Sequence, residues 1–440
     1  MKNHVQDPGA ILDLGADFRR GADTPVELVR RLFRRIEEKD PDVKAWLYVD
    51  EDDALEQAAR CTREIRNGAI RSPLHGIPIA IKDIIDLAGL PTRANSPSRR
   101  SVAPAAADAN IVSSLRAAGA IILGKVHTTE YAYFSGPPPT RNPWDLDRTP
   151  GGSSAGSAAA VASGTVPCSI GTQTAASVIR PAAYCGIAAF KPTSQSLSMQ
   201  GILPLAPSFD TPGWFGYRVA DVLVLWEAIH GSGRVQAQPA GDFTIGYLDD
   251  AEIRESASPE TWHHMTAVCD AIGRHAFHVE TPALPVSLSC LNAWHKTVFE
   301  YELAQTQGHL LAGGEGRVEQ PLLDAIQRGM VLGEQEYLEK KSRIREAQVL
   351  CWRAWERCDL LMLPATPDVA PIGMQTGDPS YITPFTVLGG PIVAMPTGLD
   401  GRGLPMGTML CARPYDDRRL LACALSLAAK IELARSVAAA

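Results

Sequence analysis

No run of about eighteen apolar residues occurs in this chain, so it offers no candidate for a membrane-spanning helix. A basic excess is also missing: the net charge is −7, which leaves little to compete for the phosphates of nucleic acid. The opening residues, MKNHVQDPGAILDLGADFRR, are polar, broken by Pro8, and lack the apolar centre of a signal peptide. No C-x-x-C pair joins any of the nine cysteines (61, 168, 185, 269, 290, 351, 358, 411 and 423), and several sit in apolar settings such as VPCSI and AYCGI. Free, buried thiols in a reducing cytoplasm explain this better than a disulfide framework. There is no H-E-x-x-H, and neither His263–His264 nor His275–His278 has a matching acidic or thiol set, so no metal is expected. His309 is the last histidine, followed by 131 residues without one.

What is present is a globular composition, 45% hydrophobic and 21% charged over 440 residues, enough for one large core or two to three small domains. Thr24 and Glu27 form a capping box with Pro25 at the first helical position, and Val26, Val29, Leu32, Phe33 and Ile36 share a face. Asp40-Pro41 is expected to end that helix, and a second follows at 51–67. IPIAI (77–81) and AIIL (120–123) read as buried strands separated by a helix at 109–118 that stops at Gly119. Residues 137–150 read as loop, 153–164 as a helix of small residues, and CGIAAF (185–190) as another strand. The stretch 231–345 is richer in charge and histidine and reads as a helical elaboration. DLLMLPATP (359–367) and PIVAMPTG (391–398) then return to the core pattern. Strands so far apart in sequence predict an α/β fold with a single large mixed sheet flanked by helices on both faces.

Residues 149–160, TPGGSSAGSAAA, carry the first chemical signal. A flexible linker would stay polar, yet this stretch runs straight into core-like sequence. A phosphate cradle would need a lysine that is absent here; the nearest spacing match, GAIILGKV (119–126), has a buried strand where the loop should be. GSSAG (152–156) satisfies the G-x-S-x-G elbow with Ser154 central, but that arrangement needs an acid and then a histidine downstream, and nothing marks one. The remaining possibility is a serine activated by lysine. Lys82 directly follows IPIAI, where burial can depress its pKa into the range of a usable base. A second small-residue turn at 171–186, GTQTAASVIRPAAYCG, offers Ser177 preceded by residues whose backbone N–H groups can converge on an oxyanion.

Together these segments resemble the amidase signature family. GIPIAIKD (76–83) matches its lysine segment, GGSSAGS (151–157) its first serine loop, and GTQTAASVIRPAAYCG, closed by FKPT (190–193), its nucleophile loop. Weaker echoes are LPTRANSPS (90–98), GKVHTTEYAYF (124–134), LPATP (363–367), LGGPIVAMPTG (388–398) and LPMGTML…DDRRLL (404–421). The resemblance implies Ser177 as acylated nucleophile, Ser153 as a bridging serine that follows a cis peptide, and Lys82 as base. It also implies an oxyanion hole from the backbone N–H groups of Thr174, Ala175 and Ala176, joined by that of Ser177. The expected organisation is one domain over 1–440, with a helical part (1–70), a catalytic core (71–230), the elaboration (231–345) and a return to the sheet (346–440).

Several positions depart from the family pattern. Ala175 and Ala176 replace the usual glycines; a position needing positive φ would be strained by a methyl group and could displace the oxyanion hole. Ala155 replaces another glycine, at a helix start. Arg180 stands three positions after Ser177, where many members have it at two; it either grips an acidic substrate group or makes a structural ion pair. Thr386 and Met409 stand where asparagine and glutamine are frequent. Tyr131, Tyr133 and Phe134 either line an apolar substrate pocket or belong to the core.

The implied activity is cofactor-free hydrolysis of a carbon–nitrogen bond in a small amide, aryl amide or carbamate, with urethane or ester cleavage inside the family's range. The implied setting is cytoplasmic, without nucleic acid or membrane, as monomer or homodimer. Two alternatives stay open: the amidase-like component of a glutamine-dependent tRNA amidotransferase, and a catalytically impaired homologue that serves as a binding module.

Overall fold

Apolar runs of four to eight residues, too short for buried helices, set the frame. The computed structural model describes residues 4–231, 234–239, 241–275, 277–313 and 318–438. Within them lies one sheet of eleven strands: β1 (Trp46–Val49), β2 (Pro78–Lys82), β3 (Ile121–Val126), β4 (Cys168–Gln173), β5 (Ala188–Lys191), β6 (Thr211–Gly216), β7 (Thr244–Tyr247), β8 (His278–Glu280), β9 (Leu360–Pro364), β10 (Ile392–Leu399) and β11 (Pro405–Cys411). Their spatial order is β1-β3-β2-β4-β6-β5-β10-β11-β9-β7-β8. β2 runs parallel to both β3 and β4, whereas β6, β5, β10 and β11 pair antiparallel in turn, so the sheet is mixed. Helices Ala155–Ala162 and Ile179–Cys185 pack on one face, and Val219–His230 and Asp417–Ala438 on the other.

The register places Ile81 of β2 opposite Ile170 of β4. The carboxyl ends of these two parallel strands therefore lie side by side, the position at which α/β sheets commonly hold their ligands. Every residue of helix Ala155–Ala162 is buried. Its small side chains let it lie close to the sheet and its neighbours: a Cβ at Gly156 would stand 2.5 Å from the carbonyl oxygen of Ala45.

Four local expectations need correction. Thr24 does cap its helix, accepting from the Glu27 N–H, but the helix runs Pro25–Val43 through Pro41. Pro41 falls in the last turn, where one missing donor is tolerated, and Lys44 in the left-handed region closes the helix. The 153–164 helix is only Ala155–Ala162, since residues before it form the serine turn. CGIAAF is not strand from its start: Cys185 ends a helix, Gly186 turns the chain at φ 66°, and β5 begins at Ala188. The 231–345 stretch is not wholly helical either, because β7 and β8 extend the edge of the main sheet.

All nine cysteines are unpaired. Among the described residues no helix is long and apolar enough to cross a membrane.

Candidate active site

Lys82 closes β2 with its side chain wholly buried. Its Nζ lies 2.7 Å from Ser153 Oγ, 3.0 Å from Ser154 Oγ and 2.9 Å from Thr172 Oγ1. The acid beside it in sequence, Asp83, is spent elsewhere, in a buried pair with Lys125 at 2.8 Å. Burial therefore draws the Lys82 pKa well below the ordinary lysine value, with the charge of Asp210 opposing the shift. Three hydroxyls suit a neutral amine, which has two N–H donors and one lone pair. Ser154 gives its own proton to the Thr172 carbonyl at 3.2 Å, so it accepts from the amine. Ser153, the nearest of the three, is left able to donate to the lone pair.

Ser153 sits in a turn built for close approach. Gly151 adopts φ 81°, and a Cβ there would meet Pro181 Cα at 2.8 Å. The Gly152–Ser153 peptide is cis, as the resemblance implies. Gly171 preserves room on the other side: its Cβ would lie 2.7 Å from Ser154 Oγ. Ser153 is almost completely buried, and its carbonyl accepts from the Thr129 N–H at 3.2 Å.

Ser177 lies between β4 and helix Ile179–Cys185, 7% exposed. Among the described residues its hydroxyl makes no hydrogen bond, so the structure joins Lys82 to Ser153 directly and leaves Ser177 unengaged on the neighbouring loop. Arg180 ties the two loops together. One of its guanidinium nitrogens donates to the Gly152 carbonyl at 2.7 Å and another to the Gly377 carbonyl at 2.7 Å. Arg180 is fully buried, and burial lowers its pKa to about 10. Among the described residues it makes no ion pair, and its buried Nε has no hydrogen-bond partner.

The nucleophile loop is held from several sides. Gln173 Oε1 accepts from the Val178 and Ile179 N–H groups, at 2.9 and 3.0 Å, and the Gln173 amide donates to Thr386 Oγ1. Thr386 in turn donates to the Ala175 carbonyl at 2.6 Å. Thr174 Oγ1 donates to buried Asp210 at 2.6 Å, and His295 Nε2 lies 3.0 Å from the Thr174 carbonyl. That carbonyl can only accept, so His295 carries its proton on Nε2. Burial lowers the His295 pKa to about 4, which keeps the ring neutral.

Neither Ala175 nor Ala176 has positive φ, so the methyl groups that replace glycine carry no left-handed strain. Among the described residues the N–H groups of Thr174, Ala175, Ala176 and Ser177 have no hydrogen-bond acceptor, leaving them available to an oxyanion.

The three aromatic candidates divide. Tyr131 is buried and its hydroxyl bonds Ser98 at 2.9 Å, a core role. Tyr133 and Phe134 are partly exposed and meet Phe299, at ring-centroid distances of 6.0 and 6.2 Å. Phe299 stacks on His295, and His295 lies tilted against Phe209 at a ring-centroid distance of 4.5 Å, giving a continuous ring wall that ends at the nucleophile loop. Met409 is buried in β11.

Sequence reasoning did not find Ser154 and Thr172 as partners of Lys82, nor Asp210, His295, Phe209 and Phe299. The usable signal for Ser154 was its place directly after the bridging serine; the others carry none that is local. Cys61, Glu64 and His75 place possible metal donor atoms within 4.8 Å of one another, but both Glu64 oxygens already accept from Arg71.

Residues 27–421 match the family model described as Amidase. The chain is 32% identical over 447 residues to a subunit of the glutamyl-tRNA(Gln) amidotransferase of Chloroflexus aggregans (strain MD-66 / DSM 9485), covering 90% of this chain and 91% of that one. Among solved structures it is similar to an amidase, with TM-score 0.88, 27% identity and coverage of 97% and 100%. It is likewise similar to the native peptide amidase of Stenotrophomonas maltophilia, with TM-score 0.82, 26% identity and coverage of 96% and 97%.

Proposed function

The chain belongs to the amidase family, and within it we propose a stand-alone hydrolase of carbon–nitrogen bonds that works through an acyl-enzyme on Ser177. The observation that carries this reading is the buried environment of Lys82, which has no ion-pair partner among the described residues and lies 2.7 Å from Ser153. Neutral Lys82 takes the Ser153 proton while Ser153 takes that of Ser177, and Ser177 Oγ attacks the substrate carbonyl. The resulting oxyanion is met by N–H groups of residues 174–177. The proton returns through Ser153 to the leaving nitrogen, the C–N bond breaks, and an amine departs. Water then attacks the ester, giving up a proton along the same relay, and releases the acid.

The apolar wall of Tyr133, Phe134 and Phe299 supports small amides with an aryl or alkyl body, and aryl carbamates, as substrates. A second reading, the catalytic component of a tRNA amidotransferase, draws on the 32% identity to a subunit of such an enzyme. The S-V-I-R-P form of the nucleophile loop and the divergent 231–345 stretch favour the stand-alone enzyme.

One screen tests both. The purified protein is offered p-nitroanilides, small primary amides, aryl carbamates and glutamine, alongside Ser177→Ala. Turnover of a small amide or carbamate by the protein alone, absent in Ser177→Ala and accompanied by loss of fluorophosphonate labelling, is expected. Unaltered hydrolysis by Ser177→Ala would dispose of the nucleophile assignment. Glutaminase activity seen only with added partner proteins would favour the amidotransferase.

A further inference from the structure

A cavity of about 390 Å³ lies behind the nucleophile loop, beside helices Leu288–Gln307 and Glu334–Ala354 and the turns that follow β5 and β11. Its inner wall includes Phe209, Val298, Ile344 and Val387, all buried and apolar. Lys341 and Arg345 also line it, one turn apart on the same helix face. No residue lining it is acidic.

The two cations are not equally compensated. Lys341 Nζ donates to the Tyr337 hydroxyl at 3.0 Å and lies 3.8 Å from Glu302. Glu302 is heavily committed already: it accepts from the Ser208 N–H at 2.7 Å, from the Ser208 hydroxyl and from Tyr337. Arg345 is exposed and, among the described residues, has no carboxylate partner.

The rim carries a second, independent feature. Gln195 and Tyr415, both lining the cavity, adopt positive φ, 62° and 73°. Non-glycine residues rarely do so, and such conformations cluster at ligand clamps. Tyr415 is held there by its N–H, which donates to Thr193 Oγ1 at 2.8 Å, and the residue is 79% exposed beside the opening.

We propose that this cavity is a binding site, separate from the hydrolytic serines, for an organic anion with an apolar body: a carboxylate bearing an aryl or medium-length alkyl group. The carboxylate pairs with Arg345 and Lys341, the body enters towards Val298 and Ile344, and the Tyr415 ring covers it. The volume falls in the range of small-ligand sites. A phosphate alone would leave the apolar wall unused, and a neutral hydrocarbon would leave Arg345 unmatched.

Octanoate is the probe, titrated by calorimetry, with octanol as its uncharged analogue. Saturable binding of octanoate at one site is expected, with octanol weaker by roughly tenfold or more, the worth of a charge-assisted hydrogen bond. Arg345→Glu should weaken octanoate to a similar degree while circular dichroism and Tm stay unchanged, since the residue is exposed. Arg343→Glu, the same charge change on the same helix but outside the cavity lining, should leave affinity as in wild type. Absence of saturable binding, equal affinity for octanoate and octanol, or equal weakening by both arginine variants would each overturn the proposal.

Discussion

Two regions of the chain meet at the nucleophile loop and reach it by different routes. The segments 76–83, 151–157 and 171–186 carry long motifs, and they place Lys82, Ser153 and Ser177 on strand ends and tight turns of the central sheet. The 231–345 stretch carries little of the family resemblance, yet it supplies His295 on the Thr174 carbonyl and Phe299 in the aromatic wall. The first region provides the proposed base and both proposed relay serines, roles with few chemical equivalents. The second provides a donor and a surface, tasks that several side chains can perform. Rigid placement and identifiable motif therefore go together, while support for the same loop comes from sequence with no signature.

The contrast is sharpest at Lys82. Lys82→Ala removes the proposed base, and a loss in kcat/KM of roughly 10²–10⁴-fold is expected at neutral pH, the usual scale for general-base catalysis. In the proposed relay the neutral amine is the active form, so kcat/KM should rise with pH through the depressed lysine pKa and then level. The variant should lose that step and recover part of its rate at high pH, where hydroxide replaces the base. A variant profile that retains the wild-type step would remove Lys82 from the relay.

Arg180 comes next, within the motif-bearing region but structural in its contacts. Arg180→Met keeps bulk and deletes both hydrogen bonds, leaving the part-buried Gly377 carbonyl without this donor and the buried Gly152 carbonyl unpaired, the latter at a cost of about 1–3 kcal/mol where no water substitutes. A lower midpoint in urea should accompany a fall in kcat, because the link between the two serine loops is lost. Loss of substrate affinity with unchanged stability would instead return Arg180 to the role of substrate grip.

How much of this was legible follows from the range of each contact. The Thr24 cap and the Lys82 strand depend on residues a few positions apart, and their patterns are visible in sequence. The environment of Lys82 joins residues 71 to 90 positions away, and Thr386 reaches Ala175 across 211. No local periodicity encodes such pairings; only the motifs, by resemblance, anticipated part of them. For Arg180 the sequence left a substrate grip and an ion pair open, because nothing local foretells the Gly152 and Gly377 carbonyls that its guanidinium binds. CGIAAF was misread because its apolar letters suit a strand, while Gly186 in the left-handed region ends a helix there.

His295 tests whether the signature-free region matters to catalysis. His295→Ala should lower kcat by roughly three- to tenfold, the worth of one net hydrogen bond at about 0.5–1.5 kcal/mol, with KM little changed. His295→Gln, which keeps a donor, should recover much of it. The ring also has a stability signature. Its pKa falls from 6.5 to about 4 in the folded state, so the unfolded chain binds more protons between these values. Its contribution is therefore fully present above pH 6.5 and is lost as pH falls towards 4. His295→Gln should flatten that part of the stability–pH curve; an unchanged slope would mean the buried ring contributes nothing to it.

Thr386 gives the smallest expected effect and the finest test. It lies outside both regions, where asparagine is frequent in the family, and it joins the Gln173 amide to the Ala175 carbonyl. Thr386→Val keeps the shape and deletes the hydroxyl, so Ala175 loses a donor and Gln173 an acceptor. About 1 kcal/mol of loop support is at stake, equivalent to a several-fold fall in kcat. Thr386→Asn can restore both a donor and an acceptor, at the price of added volume against Val387. If Asn matches wild type while Val does not, the loop needs the hydrogen-bond pattern and tolerates a different side chain to make it. Equal rates in all three would show that Gln173 and His295 already hold the oxyanion loop without help from this helix.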